Sequence, residues 1–194
     1  MKLFTTMLGM VIIVSLSVSF VLVTSKSQVS LAGSSDPQVF MNMTEDERFQ
    51  AAANMSQEEK QMIMNEFSKQ NSTVNENTSE TVMSKETKPL MGSFVDAGDG
   101  FHKAEGVAKV INLAHGKTFL RLENLKATNG PDLYVYLSTD KGVSDFVNLG
   151  RLKGNIGNQN YEIPPGTDLA KYDTVLIWCK AFWTLFGSAK LSGQ

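Results

Sequence analysis

The stretch TVLIWCK, residues 174–180, decides how this chain is read. In an extended backbone successive side chains point to opposite faces, so Val175, Ile177 and Cys179 share one face and Leu176 and Trp178 the other. Both faces are apolar. A strand of that kind belongs at the centre of a sheet covered on both sides, which puts Cys179 at least partly inside the protein. It is the only cysteine among 194 residues, so no disulfide forms within the chain.

Working outward from this strand, residues 91–194 alternate in short segments separated by turn residues. GVAKVINL (106–113), TFLRLENL (118–125), DLYVYLS (132–138), FVNLGRL (146–152), QNYEI (159–163) and LFGSAKL (185–191) read as strands beside TVLIWCK. HGK, NGPD, DKG, KGNIGN and PPG supply the glycine and proline that chain reversals need. In TFLRLENL the alternation slips near Asn124, which predicts a local irregularity there. The expected fold is all-β, an antiparallel β-sandwich of about 7 to 8 strands.

Residues 33–90 are different: Ser, Thr, Asn, Glu and Met dominate, and there are ten acids to five bases, against ten and eleven in residues 91–194. Such a composition builds no core of its own. Thr44 with Glu47, and Ser56 with Glu59, are capping boxes, so two short helices are expected in a hairpin over residues 45–69. Their apolar stripes, Phe49 and Ala53 on one and Met62, Ile63 and Phe67 on the other, fit a self-packed hairpin or a surface that recruits a partner. Residues 71–88 read as a solvated linker. Asn42, Asn54, Asn71 and Asn77 each open an Asn-x-Ser/Thr sequence, whereas none of the seven asparagines from 112 to 160 does. That clustering fits an exposed, glycosylated stalk or a plain polar linker.

Residues 1–32 form the third region. Between Lys2 and Lys26 there is no acid or base, and as a helix Leu3 to Val23 spans roughly 31 Å, enough to cross a bilayer. The segment reads as an uncleaved anchor or as a cleaved signal peptide, and either implies export. The expected localisation is the cell membrane, single-pass with the C-terminal domain outside, or secretion after cleavage. No region is basic enough to form a phosphate-binding stripe, so nucleic acid is not an expected partner.

Catalytic patterns are sparse. There is no Gly-rich phosphate loop, metalloprotease helix or nucleophile elbow. His102 and His115 occupy turns and read as solvated, and Asp132 follows a proline as a turn-capping acid. His102, His115, Cys179 and Met91 match the inventory of a copper electron-transfer site, but no histidine follows Cys179 to pin the metal in one loop. Met41, Met43, Met55, Met62 and Met64 have the softness for a cuprous ion and the spacing of helix packing. On these residues alone Cys179 is a buried inert thiol, a reactive thiol, a metal ligand or half of an intermolecular bridge. Trp178, Phe182, Trp183 and Phe186 crowd it as an aromatic shell.

Four stretches together resemble the DM-thirteen domain across residues 92–191: GSFVDAGDGFHKAEGVAKVI, NGPDLYVYLS, NLGRLKGNIGNQNYEIP and TVLIWCKAFWTLFGSAKL. That family is described as an electron-transfer domain and occurs beside DOMON modules in surface proteins. The resemblance implies a β-sandwich whose single cysteine, here Cys179, acts in redox as a bare thiol or through a bound cofactor. Asp132 and Tyr161 fall on family positions, and with Trp178 they are the candidate cofactor contacts; the cofactor itself is unspecified. The chain holds no DOMON or cytochrome segment, so a redox protein is expected as partner.

The sequence thus predicts an extracytoplasmic, membrane-tethered domain with a redox or electron-transfer role centred on Cys179. It has no complete catalytic constellation. The alternative is a surface adhesion or ligand-binding module using the loops at 96–103 and 127–131.

Overall fold

A computed structural model of the chain describes residues 35–77, 89–113 and 116–193. The apolar segment at 3–23 and His115 lie outside these residues. No helix among the described residues is long and apolar enough to cross a membrane.

Two sheets face one another. The first has six strands in the order β1 (Thr73–Asn75), β8 (Ile156–Ile163), β5 (Thr118–Ala127), β4 (Ala104–Asn112), β2 (Leu90–Ser93) and β11 (Ser192–Gly193). The second has five, in the order β3 (Val95–Asp96), β10 (Thr184–Lys190), β9 (Thr174–Cys179), β6 (Leu133–Ser138) and β7 (Phe146–Arg151). All pairings are antiparallel except β1 on β8, which is parallel. The result is a β-sandwich with one mixed sheet. Each of the seven expected segments forms a strand, β4 to β10, and β1, β2, β3 and β11 are short additions.

β9 is the middle strand of its sheet, and all six of its residues are buried. Val175, Ile177 and Cys179 face the space between the sheets with Leu120, Leu122, Val135 and Phe186, while Leu176 and Trp178 join Tyr134 and Tyr136 on the outer face. Each fully buried aliphatic side chain here contributes about 1.5–3 kcal/mol, which is why the strand cannot leave the centre. The irregularity expected near Asn124 is a bulge: Asn124 has φ 51°, and the β5–β8 register shifts between Leu122 and Leu125.

Three helices precede the sheets: α1 (Pro37–Asn42), α2 (Glu45–Ala53) and α3 (Gln57–Ser68). Both capping boxes form, Thr44 with Glu47 and Ser56 with Glu59, and they fix where α2 and α3 begin. The helices are not a free-standing hairpin. Phe40, Met43, Ala51, Ala52, Ile63 and Phe67 are buried in the same cluster as the sandwich core. Nor is all of 71–88 solvated linker, because Thr73–Asn75 extends the six-stranded sheet as β1.

β1 approaches β8 where the latter has no side chain. Gly157 has φ +112°, and a Cβ there would stand 2.1 Å from the Val74 carbonyl oxygen. Gly157→Ala is therefore expected to lower stability by about 1–3 kcal/mol, the cost of a strained backbone position, through loss of β1 docking. Equilibrium denaturation read by far-UV circular dichroism measures this, and an unchanged midpoint would count against the close approach.

Candidate functional site

Cys179 closes β9, opposite Leu133 of β6 on one side and Thr184 of β10 on the other. The chain then turns through residues 180–183, and the Lys180 N–H donates to the Asp132 carbonyl at 2.9 Å. Trp183 completes the turn in the left-handed region at φ 54° and is 57% exposed. Cys179 is therefore held between two neighbouring strands near the end of the sheet, and its exposure is 0%.

Burial pushes the Cys179 thiol up to about 12; the Asp132 charge adds to this, and the amides of Phe182, Asp132 and Ala181 partly offset it. The thiolate is the reactive form, so at neutral pH this sulfur is a neutral thiol of very low nucleophilicity.

Asp132, just before β6, is 1% exposed. It is more than the turn-capping acid expected, because two guanidinium groups meet it. Its Oδ1 lies 3.3 Å from Arg48 Nη2 and 2.9 Å from Arg151 Nη2, while Oδ2 and Arg48 Nε have no hydrogen-bond partner. Burial raises its carboxyl above the usual range against the opposing pull of Arg151 and Arg48. A carboxyl so raised holds its proton more tightly folded than unfolded, so ionising it as pH climbs works against the fold. Arg48 also donates from Nη1 to the Met43 carbonyl at 2.6 Å. Beside it in α2, Glu45 accepts from the Tyr134 hydroxyl at 2.5 Å and pairs with Lys180.

The other candidates stand apart from the sulfur. Trp178 is on the outer face of β9, 5.8 Å from Trp183 in a T-shaped pair, and its Nε1 has no partner. Tyr161 is on β8 in the opposite sheet, donating to Gln159 at 2.7 Å and accepting from the Lys153 N–H at 3.0 Å; burial raises its hydroxyl. The aromatic shell is split by the strand: Phe182 and Phe186 share the core with Cys179, and Trp178 and Trp183 do not.

His102 is not the solvated turn histidine expected. It is 8% exposed, with Nδ1 paired to Asp99 and its ring 4.2 Å from that of Phe186. Met91 is on β2 in the sheet opposite Cys179, and His115 lies outside the described residues. Among the described residues no three His, Cys, Asp or Glu side chains come together as a metal cluster. Cys179 is fully buried within the apolar core cluster, and its thiol also feels the Asp132 charge.

Sequence reasoning missed Arg48, Arg151 and Glu45 as members of this site. Arg48 and Asp132 are 84 positions apart, and no local pattern links them.

The family model described as Electron transfer DM13 matches residues 94–191, about half of the chain. No curated protein and no solved structure matches it.

A neutral thiol of this kind labels slowly. At pH 8 a group with pKa about 12 is thiolate in about one molecule in 10⁴, whereas an ordinary cysteine is thiolate in about one in four. Native protein should therefore react with a colorimetric disulfide reagent about 10³-fold more slowly than the chain in denaturant. Equal rates would mean that Cys179 is not sealed.

Proposed function

The chain belongs to the electron transfer DM13 family, and from that premise we propose that it is an extracytoplasmic, membrane-tethered electron-transfer domain with Cys179 as its redox residue. The observation that carries this reading is the seat of Cys179: the sole cysteine, fully buried at the end of the central strand, beside a buried carboxylate. Lone cysteines that only pack need no ionised neighbour, and a charge placed there at a cost in desolvation is a feature of tuned sites. A separate redox protein exchanges the electrons. The apolar segment at 3–23 tethers the domain or directs its export.

Two further facts support the outer face. The sandwich strands carry no Asn-x-Ser/Thr sequence, and the four asparagines that open one, Asn42, Asn54, Asn71 and Asn77, are all exposed. In cells with a glycosylating secretory pathway, amidase treatment of the full chain should increase its mobility. Unchanged mobility, with an appended control sequon modified, would remove this support.

The deciding experiment uses the exported full chain. An absorption spectrum, metal analysis and a potentiometric titration are expected to show a redox transition that Cys179→Ser abolishes. The serine variant should fold, at a cost of about 1–3 kcal/mol for burying a hydroxyl.

A second reading, a ligand-binding module without redox chemistry, is favoured by the loops. Residues 96–103 and 127–131 are joined to one another: Thr128 N–H donates to Lys103 O at 2.9 Å and the Thr128 hydroxyl to Phe101 O at 3.2 Å. Colourless protein with no transition and an unchanged Cys179→Ser variant would select it.

A further inference from the structure

The stretches that flank Cys179 are packed by chain that lies outside the family match. The matched region runs from 94 to 191, whereas α1, α2 and α3 lie at residues 37–68. These helices sit against both stretches that flank the sulfur. On the β6 side Arg48 meets Asp132, and on the β9–β10 turn Phe40 packs on Phe182 with ring centroids 5.4 Å apart. Glu45 reaches both Lys180 and Tyr134.

We propose that the helical layer α1–α3 is a displaceable cover over Cys179, latched by Arg48 on Asp132 and by Glu45 on Lys180 and Tyr134. The closed form holds an inert thiol. The open form exposes it.

Three observations make the latch releasable. First, Arg48 and Asp132 are an incompletely satisfied buried pair, since Arg48 Nε and Asp132 Oδ2 both lack partners. Such a pair gains little over its desolvation cost and is better at fixing a position than at adding stability. Second, opening does not strand the acid. Arg151 remains 2.9 Å from Asp132 on the sandwich itself and is itself half exposed, while Arg48 recovers water. Lys180 and Glu45 are each about one-third exposed, so both are solvated when they part.

Third, the boundary between the layers is open at one place. Phe49, Ala52 and Lys60 of the helices face Ala181, Phe182 and Trp183 of the turn across an open apolar groove. Trp183 holds its exposed ring there in a left-handed conformation that a bulky residue rarely adopts. The buried side of the helices combines Met43, Met55, Met64, Ala51 and Ala52, small or flexible side chains that repack readily, with the bulkier Phe40, Ile63 and Phe67.

The cover rests on the redox reading only in giving access to Cys179 a purpose; its own test needs no redox activity. The probe is the colorimetric disulfide reagent on the native full chain. Arg48→Ala and, as a milder change certain to leave the core intact, Glu45→Gln are compared with Leu120→Ala, which weakens the core within the six-stranded sheet. The latch variants should label about 10- to 100-fold faster than the parent, the range set by loss of one charged hydrogen bond. Leu120→Ala, with an equal or larger loss of global stability, should label more slowly than they do. If labelling in all three follows global stability alone, or if neither latch variant accelerates it, there is no cover. A redox titration that fails while labelling accelerates would sink the electron-transfer reading and leave the cover standing.

Discussion

A strand that is apolar on both faces must be covered on both faces, and β9 imposes that demand on the molecule. Its inner side chains need a second sheet, which the β4–β5–β8 ladders supply. Its outer side chains need a separate apolar layer, and Tyr134, Tyr136 and Leu185 form one around Leu176 and Trp178. Because β10 and β6 flank β9 on either side, the strand's last residue has no edge to open onto. The burial of Cys179 is thus a consequence of topology before it is a matter of chemistry.

The charge beside that sulfur has a different origin. Asp132 lies where β6 starts, so its main chain is committed to the ladder: its carbonyl accepts from Lys180. The side chain is left in the interior with an ionisable group that water cannot reach. An isolated buried carboxylate is too costly to persist, and two guanidinium groups answer it from opposite sources, Arg151 from the neighbouring strand and Arg48 from the helices. Two cations on one acid leave a local excess of positive charge. Glu45, one turn before Arg48 on α2, lies nearby in its contacts with Lys180 and Tyr134.

What could be read from the sequence follows the range of the interaction involved. Alternation and turn residues are local, and β4 to β10 stood where they predicted. The capping boxes at Thr44 and Ser56 are equally local and set the helix starts. β1 was not legible, because Thr73–Asn75 is polar, three residues long, and a strand only because Gly157 of β8 admits it. Arg48 was illegible for the same reason at greater distance: its partner is specified by how the helices dock. His102 looked solvated because its turn is hydrophilic, yet Asp99 answers its Nδ1 and so lets the ring lie between Phe101 and Phe186.

The alternation that hides Cys179 also places Trp178, its neighbour in sequence, on the other side of the sheet in contact with Trp183 at the surface. The two residues are one peptide bond apart, but one looks into a dry core and the other towards solvent. A reagent must pass through packed side chains to reach the sulfur, and for it the wall is a barrier. An electron crosses by overlap with the atoms of the wall, but a neutral thiol that loses one must also give up its proton, for which Asp132 is the carboxylate whose charge the sulfur feels. Burial therefore separates two properties that are usually measured together, a thiol's reactivity and its capacity to exchange an electron. A thiol silent to the reagent therefore bears on the first property and not on the second.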